Sequence, residues 1–340
     1  MTLRVAVIGA GSWGTTVASL AARNAPTVLW ARRAELAEEI SRDHRNRDYL
    51  GDAPLPDALR ATADMAEAVS DADIVVVAVP SDGFRTAVRS VAEVVRPWVP
   101  IVSLSKGLEP ARHLRMSQII GEEVPGHPIA VLTGPNLAAE ILAGQPAATV
   151  VAIGDHVIAR ALQDVFTTMR LRVYTNPDLV GCEVAGVVKN VIAIAAGMAE
   201  GMGFGDNTRA TIITRGLAEM SRLGAALGGS PATFAGLAGM GDLIATCSSR
   251  RSRNTSVGVE LGAGRSIDEI VGSMRMVAEG VKSSLAVAAL AKVHGVEMPI
   301  TEQVVAVCHE GRSAADALAA LMSRAGRSEW DQDRDAGWAP

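Results

Sequence analysis

Apolar runs and segments of helical periodicity alternate along the first half of the chain. The apolar runs have the length and composition of β-strands, and they cover Arg4–Ala10, Thr27–Ala31, Asp73–Val79, Pro100–Ser105, Ile129–Thr133 and Ala148–Ile153. Val5–Ile8 and Ile74–Val77 are apolar at every position, which is typical of strands whose sheet is buried on both faces. Strands that alternate with helices in this way predict a mostly parallel sheet covered by helices.

The pattern changes at Asn176-Pro177, two residues that favour a turn. Beyond this point we find no convincing strand, and the clearest helical segments are Leu179–Gly201, Asn207–Leu227, Ala278–Val293, Pro299–His309 and Ala314–Arg324. We therefore predict an α/β domain over residues 1–177 and an all-helical domain over residues 178–327. A length of 340 residues also favours two domains. Residues 328–340 are polar and rich in aspartate, and we expect a loose tail there.

The composition is that of a globular protein, with 49% hydrophobic and 20% charged residues. The formal net charge of −5 argues against a nucleic-acid partner. The cysteines are Cys182, Cys247 and Cys308, which are widely spaced and include no C-x-x-C pair. They predict neither a disulfide framework nor a zinc site, so we expect a reducing compartment and no bound metal.

Two apolar stretches were considered as targeting or membrane segments. The run after Met1 stops at a glycine turn and has no cationic leader, unlike a signal peptide. The run Val184–Met198 contains Lys189 and Asn190, and it falls short of the ~20 residues that a membrane span needs. We therefore expect a cytoplasmic protein without membrane insertion.

A glycine-rich turn follows the first predicted strand. Residues 9–14 form a G-x-G-x-x-G pattern, which is placed between that strand and a helical pattern over Thr15–Arg23. In this context the glycines allow a tight turn, a close approach of backbone to a pyrophosphate, and packing of the helix on the strand. Free N–H groups at the start of the helix then face the phosphates. We expect the cofactor to contact Gly9, Gly11, Ser12, Trp13 and Gly14.

The second predicted strand ends in Arg32 and Arg33. Dehydrogenases that prefer NAD usually place an acidic residue there, where it binds the ribose 2′-hydroxyl. Arginine suits a 2′-phosphate, so the sequence favours NADPH over NADH, although NADH stays possible. The alternative is that both arginines only begin a solvated helix.

Polar or cationic residues also follow three later strands. These segments are Val79-Pro80-Ser81, Ser105-Lys106-Gly107 and Thr133-Gly134-Pro135-Asn136. Because ligands collect at the carboxyl ends of strands in such sheets, the three segments together predict the wall of a cleft. Any one of them alone would be an ordinary loop.

One lysine lies within the most apolar helix of the second domain. Lys189 shares a helical face with Glu183, Gly186 and Asn190. Burial disfavours an ammonium group, which is how a lysine becomes a usable acid or base near neutral pH. The alternative is a lysine with a buried stem whose ammonium reaches water.

Two downstream segments add an acid and an anion-binding pattern. Asp242 lies in a glycine-rich, apolar bend, and it is followed by Thr246 and Cys247. Residues 248–254 read Ser-Ser-Arg-Arg-Ser-Arg-Asn at the opening of a helical segment, which suits a phosphate group. The alternative for this segment is a solvated basic loop.

Together these motifs resemble the NAD(P)-dependent glycerol-3-phosphate dehydrogenases of the bacterial type. The resemblance spans nearly the whole chain in the right order. It is carried by residues 9–14, 105–109, 186–194, 201–224, 238–247, 252–254 and 296–301, of which 201–224 is the most specific part. It implies a Rossmann-like domain followed by a helical domain, and a homodimer.

The resemblance also implies an activity and the residues that carry it. The reaction would be the reversible reduction of dihydroxyacetone phosphate to sn-glycerol 3-phosphate, the backbone precursor of phospholipids. By motif match, Lys189 would donate the proton in reduction. The other implied substrate residues are Lys106, Gly134, Asn136, Asn190, Asp242, Ser252, Arg253 and Asn254. The further implied cofactor residues are Lys106, Ala138, Arg253, Val277 and Glu279.

One residue departs from the family pattern, and two other functions were weighed. The family commonly has serine or threonine where this chain has Asn136, whose carboxamide can both donate and accept hydrogen bonds. A hydroxyacid or sugar-acid dehydrogenase would share the domain plan without needing residues 252–254. A catalytically inactive NADPH-binding regulator is disfavoured because both Lys189 and Asp242 are present.

Overall fold

The apolar runs of the first half assemble into one eight-stranded sheet. A computed structural model describes residues 3–274 and 278–325 of the chain. The strands are β1 Val5–Ile8, β2 Thr27–Trp30, β3 Leu59–Thr62, β4 Ile74–Val77, β5 Ile101–Ser103, β6 Ile129–Thr133, β7 Ala147–Ala152 and β8 Leu171–Asn176. Their order across the sheet is β3-β2-β1-β4-β5-β6-β7-β8, and every neighbouring pair is parallel except β6 and β7. The first half is therefore a Rossmann-like α/β unit, as predicted.

The central strand β1 shows why its sequence lacks alternation. Its four residues are all buried, and it pairs with β2 on one side and β4 on the other. Val5 and Val7 join the apolar cluster on one face of the sheet, and Ala6 and Ile8 join the cluster on the other face. A strand between two helical layers needs apolar side chains on both faces.

Helices cover this sheet on both faces. They are α1 Ser12–Ala21, α2 Ala34–Asp43, α3 Arg47–Leu50, α4 Met65–Val69, α5 Phe84–Ala92, α6 Met116–Glu123, α7 Ala138–Leu142 and α8 His156–Phe166, with a short 3-10 turn at Ser81–Gly83. Because β1, β2, β4, β5 and β6 pair in parallel, their carboxyl ends lie along one edge of the sheet. The predicted cofactor and substrate residues begin at this edge.

The sequence analysis missed two strands, β3 and β8. Both lie at the edges of the sheet, and each contains exposed residues within its span. An edge strand buries only part of its surface, so it tolerates polar side chains such as Arg60 and Arg172 and gives a weak apolar signal. The predicted domain boundaries remain a prediction, and the predicted tail at 328–340 lies outside the described residues.

The second half is helical in every described element. The helices are α9 Leu179–Gly201, α10 Asp206–Ala226, α11 Pro231–Ala235, α12 Asp242–Ser248, α13 Arg253–Gly262, α14 Ile267–Ser273, α15 Glu279–Val293, α16 Pro299–His309 and α17 Ala314–Met322, with a π-helical turn at Leu237–Gly241 before α12. Helix α9 is the core of this half, because its residues 181–199 are all buried. The other helices pack around it.

Helices α9 and α13 cross with their backbones in contact. A Cβ atom at Gly197 would lie 2.2 Å from the carbonyl oxygen of Thr255, and a Cβ atom at Gly258 would lie 2.2 Å from that of Ile194. Both distances are far below van der Waals contact, so this crossing requires glycine on each helix. It brings the α9 segment that carries Lys189 close to the start of α13.

Among the described helices, α9 alone has the length and apolar composition of a membrane span. However, 89% of its most apolar stretch is already buried inside the protein. Its apolar surface is therefore accounted for by packing against the surrounding helices.

Candidate active site and cofactor cleft

The glycine turn after β1 has the geometry of a phosphate-binding loop. Gly9 has φ +116°, and a Cβ atom there would lie 2.7 Å from the carbonyl oxygen of Ala78. A Cβ atom at Gly14 would lie 2.0 Å from the carbonyl oxygen of Gly9, whereas Gly11 has nothing within 4 Å of its Cβ position. Gly9 and Gly14 therefore close the turn, and Gly11 leaves its outer side open to a ligand.

Helix α1 begins within this turn and presents its first N–H groups there. Ser12 is its first residue, and the Ser12 hydroxyl donates to the carbonyl oxygen of Tyr49 over 3.1 Å. The Trp13 indole nitrogen is buried and has no hydrogen-bond partner among the described residues. This open glycine, the helix start and the neighbouring strand ends fit the pyrophosphate of a dinucleotide.

The two arginines predicted to read the cofactor lie beside the turn, because Gly9 N–H donates to the carbonyl oxygen of Trp30 at the end of β2 over 3.0 Å. Both side chains are exposed. Arg33 pairs with Asp48, and this hydrogen bond raises the pKa of the Arg33 guanidinium. Arg32 makes no ion pair with any residue in the described part of the chain, so it is the freer of the two cations.

Two lysines from different halves of the molecule converge on one carboxylate. Lys189 Nζ on α9 donates to Asp242 Oδ1 over 2.8 Å, and Lys106 Nζ, which follows β5, donates to Asp242 Oδ2 over 2.7 Å. Asp242 is 2% exposed and Lys189 is 7% exposed. Each carboxylate oxygen of Asp242 therefore accepts a hydrogen bond from one ammonium group. These bonds fix the orientation of both lysines in an environment with little water.

Burial changes the acidity of Lys106. The pKa of its ammonium is lowered to about 8, chiefly by desolvation and also by the nearby Lys189 ammonium, although Asp242 opposes both effects. Lys106 Nζ also donates to the carbonyl oxygen of Gly134 over 3.0 Å. The cluster thus holds two cations against one anion, which leaves it a net attraction for an anionic substrate.

Thr246 is a member of this cluster that the sequence analysis did not single out. Its hydroxyl accepts from Lys189 Nζ over 2.7 Å and donates to the carbonyl oxygen of Asp242, one turn earlier on α12, over 2.7 Å. The spacing of Asp242 and Thr246 on one helical face was the available signal. That signal was weak, since the partner lysine lies on a different helix.

Asn190 and Asn254 join three helices beside the lysines. Asn254 Nδ2 donates to Asn190 Oδ1 over 2.9 Å, and Asn190 Nδ2 donates to the carbonyl oxygen of Lys106 over 3.1 Å. The carboxamide oxygen of Asn254 accepts from the N–H of Gly280 on α15 over 2.9 Å. The structure therefore places these two predicted substrate residues next to Lys106.

The predicted phosphate-binding segment, residues 248–254, runs from the end of α12 to the start of α13. Ser252 precedes this helix, is buried, and accepts from the N–H of Thr255. Arg253 is the first helical residue; it is exposed and makes no ion pair within the described residues. A cation beside the free N–H groups of a ten-residue helix suits a phosphate.

The residues after β6 line the same cleft. Gly134 has φ +140°, and its carbonyl oxygen holds Lys106. Asn136 Nδ2 donates to the Thr149 hydroxyl over 2.9 Å, and its carboxamide oxygen is buried without a hydrogen-bond partner in the described chain. Ala138 begins α7 immediately afterwards.

Glu279 reaches the end of β4 from the helical half. It is the first residue of α15, and its carboxylate accepts from both the N–H and the hydroxyl of Ser81. Residues 279 and 280 form the start of α15. Val277, the other cofactor residue predicted in this segment, lies outside the described residues.

Several titratable residues lie outside the cluster. Glu183 shares α9 with Lys189, but its carboxylate accepts from Arg115 and Ser117. The three cysteines are buried, and burial raises the pKa of each thiol to about 12, which leaves no thiolate at neutral pH. Residues 3–274 and 278–325 contain no group of three or more His, Cys, Asp or Glu arranged to hold a metal ion.

Comparison with known proteins matches both halves of the chain to one enzyme family. The family profile for the NAD-dependent glycerol-3-phosphate dehydrogenase N-terminus matches residues 4–159, and the profile for the C-terminus matches residues 178–319. Glycerol-3-phosphate dehydrogenase [NAD(P)+] 2 of Sphingopyxis alaskensis is 58% identical over 95% of this chain and 97% of its own length. The Mycobacterium avium enzyme of the same activity is 53% identical over 94% of each chain. The crystal structure of glycerol-3-phosphate dehydrogenase from Coxiella burnetii superposes with a TM-score of 0.91 at 34% identity, over 95% of this chain and 99% of that one.

Proposed function

This chain belongs to the NAD-dependent glycerol-3-phosphate dehydrogenase family, and we propose that its cleft interconverts dihydroxyacetone phosphate and sn-glycerol 3-phosphate. Like its relatives, it is an NAD(P)-dependent oxidoreductase. The observation that carries the proposal for the site is the pair of lysines held by Asp242 at the joint between the α/β half and the helical half. A hydroxyacid dehydrogenase of similar plan is disfavoured, because the family match covers both halves.

In the proposed mechanism, the bound cofactor supplies or accepts the hydride. Lys189 Nζ gives its proton to the carbonyl oxygen as that oxygen becomes an alkoxide, and it takes the proton back in the oxidation. Asp242 Oδ1 and the Thr246 hydroxyl fix the position of Lys189 Nζ. Lys106 adds a second positive charge, which polarises the carbonyl together with Asn190 and stabilises the developing negative charge.

Substrate binding is assigned to the rest of the cleft. The phosphate is held by Ser252, Arg253 and Asn254 at the start of α13, where helix N–H groups and a cation favour an anion. Gly134, whose carbonyl oxygen accepts from Lys106, and Asn136 complete the proposed substrate site. This arrangement fits a small phosphorylated ketone, whose phosphate and carbonyl need separate anchors.

Cofactor binding is assigned to residues at the strand ends and to the start of α15. The pyrophosphate is held by Gly9, Gly11, Ser12, Trp13 and Gly14. Lys106, Ala138, Arg253 and Glu279 complete the site, and Val277 remains a prediction from the sequence. We further propose that NADPH is preferred, because Arg32 is exposed next to the turn and makes no ion pair with another described residue.

Three broader properties are proposed from the family and the sequence. The protein acts as a homodimer in the cytoplasm, and its product supplies glycerophospholipid synthesis. The buried α9 and the absence of a C-x-x-C pair support a protein that works away from membranes and oxidising compartments. Sedimentation of the purified protein tests the dimer.

Replacing Lys189 with alanine tests the catalytic assignment. Loss of a general acid should lower kcat by about 10²- to 10⁴-fold, whereas NADPH affinity should stay near that of the wild type. The measurements are single-turnover reduction of dihydroxyacetone phosphate, with NADPH and NADH in turn, and fluorescence titration of NADPH. Lys292→Ala, an exposed lysine on α15, is the control. A Lys189→Ala protein that binds NADPH and turns over normally would move the assignment to Lys106.

Separate alanine variants of Arg32 and Arg33 test the cofactor preference. Loss of a charged contact to the 2′-phosphate should weaken NADPH by about 1.5–3 kcal/mol and leave NADH nearly unchanged. We expect the larger effect at Arg32, because Arg33 is already paired with Asp48. The measurement is KM for each cofactor. Equal losses for NADPH and NADH would show that the arginines do not read the 2′-phosphate.

A further inference from the structure

Ser81 makes a two-point contact with Glu279 across the two halves of the molecule. The Ser81 N–H donates to Glu279 Oε1 over 3.3 Å, and the Ser81 hydroxyl donates to Glu279 Oε2 over 2.8 Å. Ser81 is 4% exposed, whereas Glu279 is half-buried. Both oxygens of the carboxylate are therefore fixed from one side by a buried residue.

The contact is held in place by its surroundings. A Cβ atom at Gly107 would lie 2.6 Å from Ser81 Cβ and 2.9 Å from Glu279 Oε2, so the pair packs directly on the residue after Lys106. On the other side, the N–H of Gly280 donates to Asn254, and a Cβ atom at Gly280 would lie 2.5 Å from the carbonyl oxygen of Asn190. The backbone next to Glu279 is thus fixed as firmly as its side chain.

The carboxylate keeps capacity for a further partner. Glu279 makes no ion pair within residues 3–274 and 278–325. An ionised carboxylate has about four lone-pair sites and accepts hydrogen bonds only, so it suits hydroxyl or amide N–H groups and disfavours phosphates. On a nicotinamide cofactor, such donors are the ribose hydroxyls and the carboxamide. Two donors from Ser81 leave sites open for them.

We propose that Ser81 is a positioning residue for cofactor binding, which acts by holding the Glu279 carboxylate in the orientation that accepts hydrogen bonds from the nicotinamide cofactor. This inference rests on the proposed cofactor role of Glu279. Ser81 itself makes no contact with the cofactor in this proposal, so removal of its hydroxyl has an effect only while the carboxylate is present.

A double-mutant cycle with Ser81→Ala and Glu279→Ala tests the proposal. Ser81→Ala keeps the Cβ atom that packs on Gly107 and removes only the hydroxyl. We expect it to raise the NADPH dissociation constant by about 3- to 10-fold, the range that one net hydrogen bond is worth. We expect Glu279→Ala to raise it more, and Ser81→Ala to add nothing in the Glu279→Ala background, where Ser81 has no side-chain acceptor. The readout is fluorescence titration of NADPH without substrate.

Lys282→Met provides the matched control for docking of the two halves. Lys282 Nζ pairs with Asp82 over 2.6 Å, which joins α15 to the same 3-10 turn without touching Glu279. NADPH affinity should be unchanged in this variant. In steady-state assays, Ser81→Ala should raise KM for NADPH and leave KM for dihydroxyacetone phosphate near the wild-type value.

Four outcomes would overturn the proposal. They are unchanged NADPH affinity in Ser81→Ala, tighter binding in Ser81→Ala, additive effects in the double variant, and an equal loss in Lys282→Met. Tighter binding would mean that Ser81 competes with the cofactor for the carboxylate. Because the titration needs no substrate, it decides the role of Ser81 even if dihydroxyacetone phosphate is not the substrate.

Discussion

At the scale of single residues, Asp242 holds the two lysines of the cleft in place. It is nearly fully buried, and an unpaired carboxylate would be costly there. Lys189 and Lys106 remove that cost, and each ammonium gains a fixed position in return. The two lysines differ in exposure, because the Lys106 side chain is 17% exposed and the Lys189 side chain 8%.

The pKa of Lys106 predicts a pH dependence of substrate binding. Its pKa is lowered to about 8, chiefly by desolvation. Above pH 8 the ammonium loses its proton, so the cleft loses one positive charge that attracts the substrate, whose phosphate is already dianionic at that pH. KM for dihydroxyacetone phosphate should therefore rise between pH 7.5 and about 9. Initial rates across this range measure the effect.

Lys106→Arg separates this effect from other titrations. A guanidinium stays charged throughout the range, so the rise in KM above pH 8 should disappear, whatever the effect on kcat. Lys292→Arg, which changes an exposed lysine, should keep the wild-type profile. An unchanged alkaline rise in Lys106→Arg would assign it to another group.

The sequence indicated most of the residues that meet around Asp242 one by one, whereas it could not indicate most of their contacts. The sequence indicated Lys189 from its apolar helix and Lys106 from its place after a strand. Thr246 follows Asp242 in the sequence without an indicated role, because its hydrogen bond to Lys189 joins residues 57 positions apart. Ser81 was noted only as part of a cleft wall, since its partner Glu279 lies 198 positions away.

At the scale of elements, the strength of the apolar pattern determined what the sequence could predict. α9 and α16 have the bounds that the periodicity predicted, Leu179–Gly201 and Pro299–His309, because their buried faces are long and continuous. β3 and β8 were missed because they are edge strands of mixed polarity. The antiparallel pairing of β7 with β6 also left no signal, since both strands are apolar in either direction.

Two glycine substitutions, one at the α9–α13 crossing and one outside it, should change the stability of the fold in opposite directions. Gly258→Ala would place Cβ 2.2 Å from the carbonyl oxygen of Ile194 and force the helices apart, which should cost about 1–3 kcal/mol or more of unfolding free energy. Gly272 lies in α14, and a Cβ atom there would have no neighbour within 4 Å. Gly272→Ala should therefore raise the unfolding free energy by about 0.5–1 kcal/mol. Urea unfolding of both variants measures the difference. A neutral Gly258→Ala would show that the crossing adjusts freely.

At the scale of the whole molecule, one buried acid links two parts of the helical half. Glu219 on α10 is 1% exposed, and it accepts from the N–H groups of Ile300 and Thr301 at the start of α16. Burial raises the pKa of Glu219 to about 7, although these hydrogen bonds oppose the change. The start of α16 is therefore held by a carboxylate that changes charge near neutral pH.

Glu219 makes the stability of the folded protein fall as pH rises. The unfolded chain releases this proton near pH 4.5 and the folded protein near pH 7, so the folded state binds more protons in between. The unfolding free energy should decline by about 1–3 kcal/mol from pH 5 to pH 7.5 and then level off, as far as this group contributes.

Urea unfolding at several pH values isolates this contribution by comparison with Glu219→Gln. The glutamine variant should lack the decline, whereas Glu302→Gln, which changes an exposed acid on α16, should keep it. Parallel pH profiles for the wild type and Glu219→Gln would show that Glu219 does not titrate in this range.

The crossing of α9 and α13 also bears on which ketone phosphates the proposed site can accept. The proposed proton donor Lys189 lies on α9, and the proposed phosphate residues begin α13. Since the two backbones touch at Gly197 and Gly258, the span from carbonyl to phosphate is set by rigid helices rather than by adaptable loops. A homologue with one more carbon between ketone and phosphate would have to bend or leave one anchor unfilled. Under the proposed site assignment, chain length is therefore selected by the helix crossing itself, at a distance from the reacting atoms.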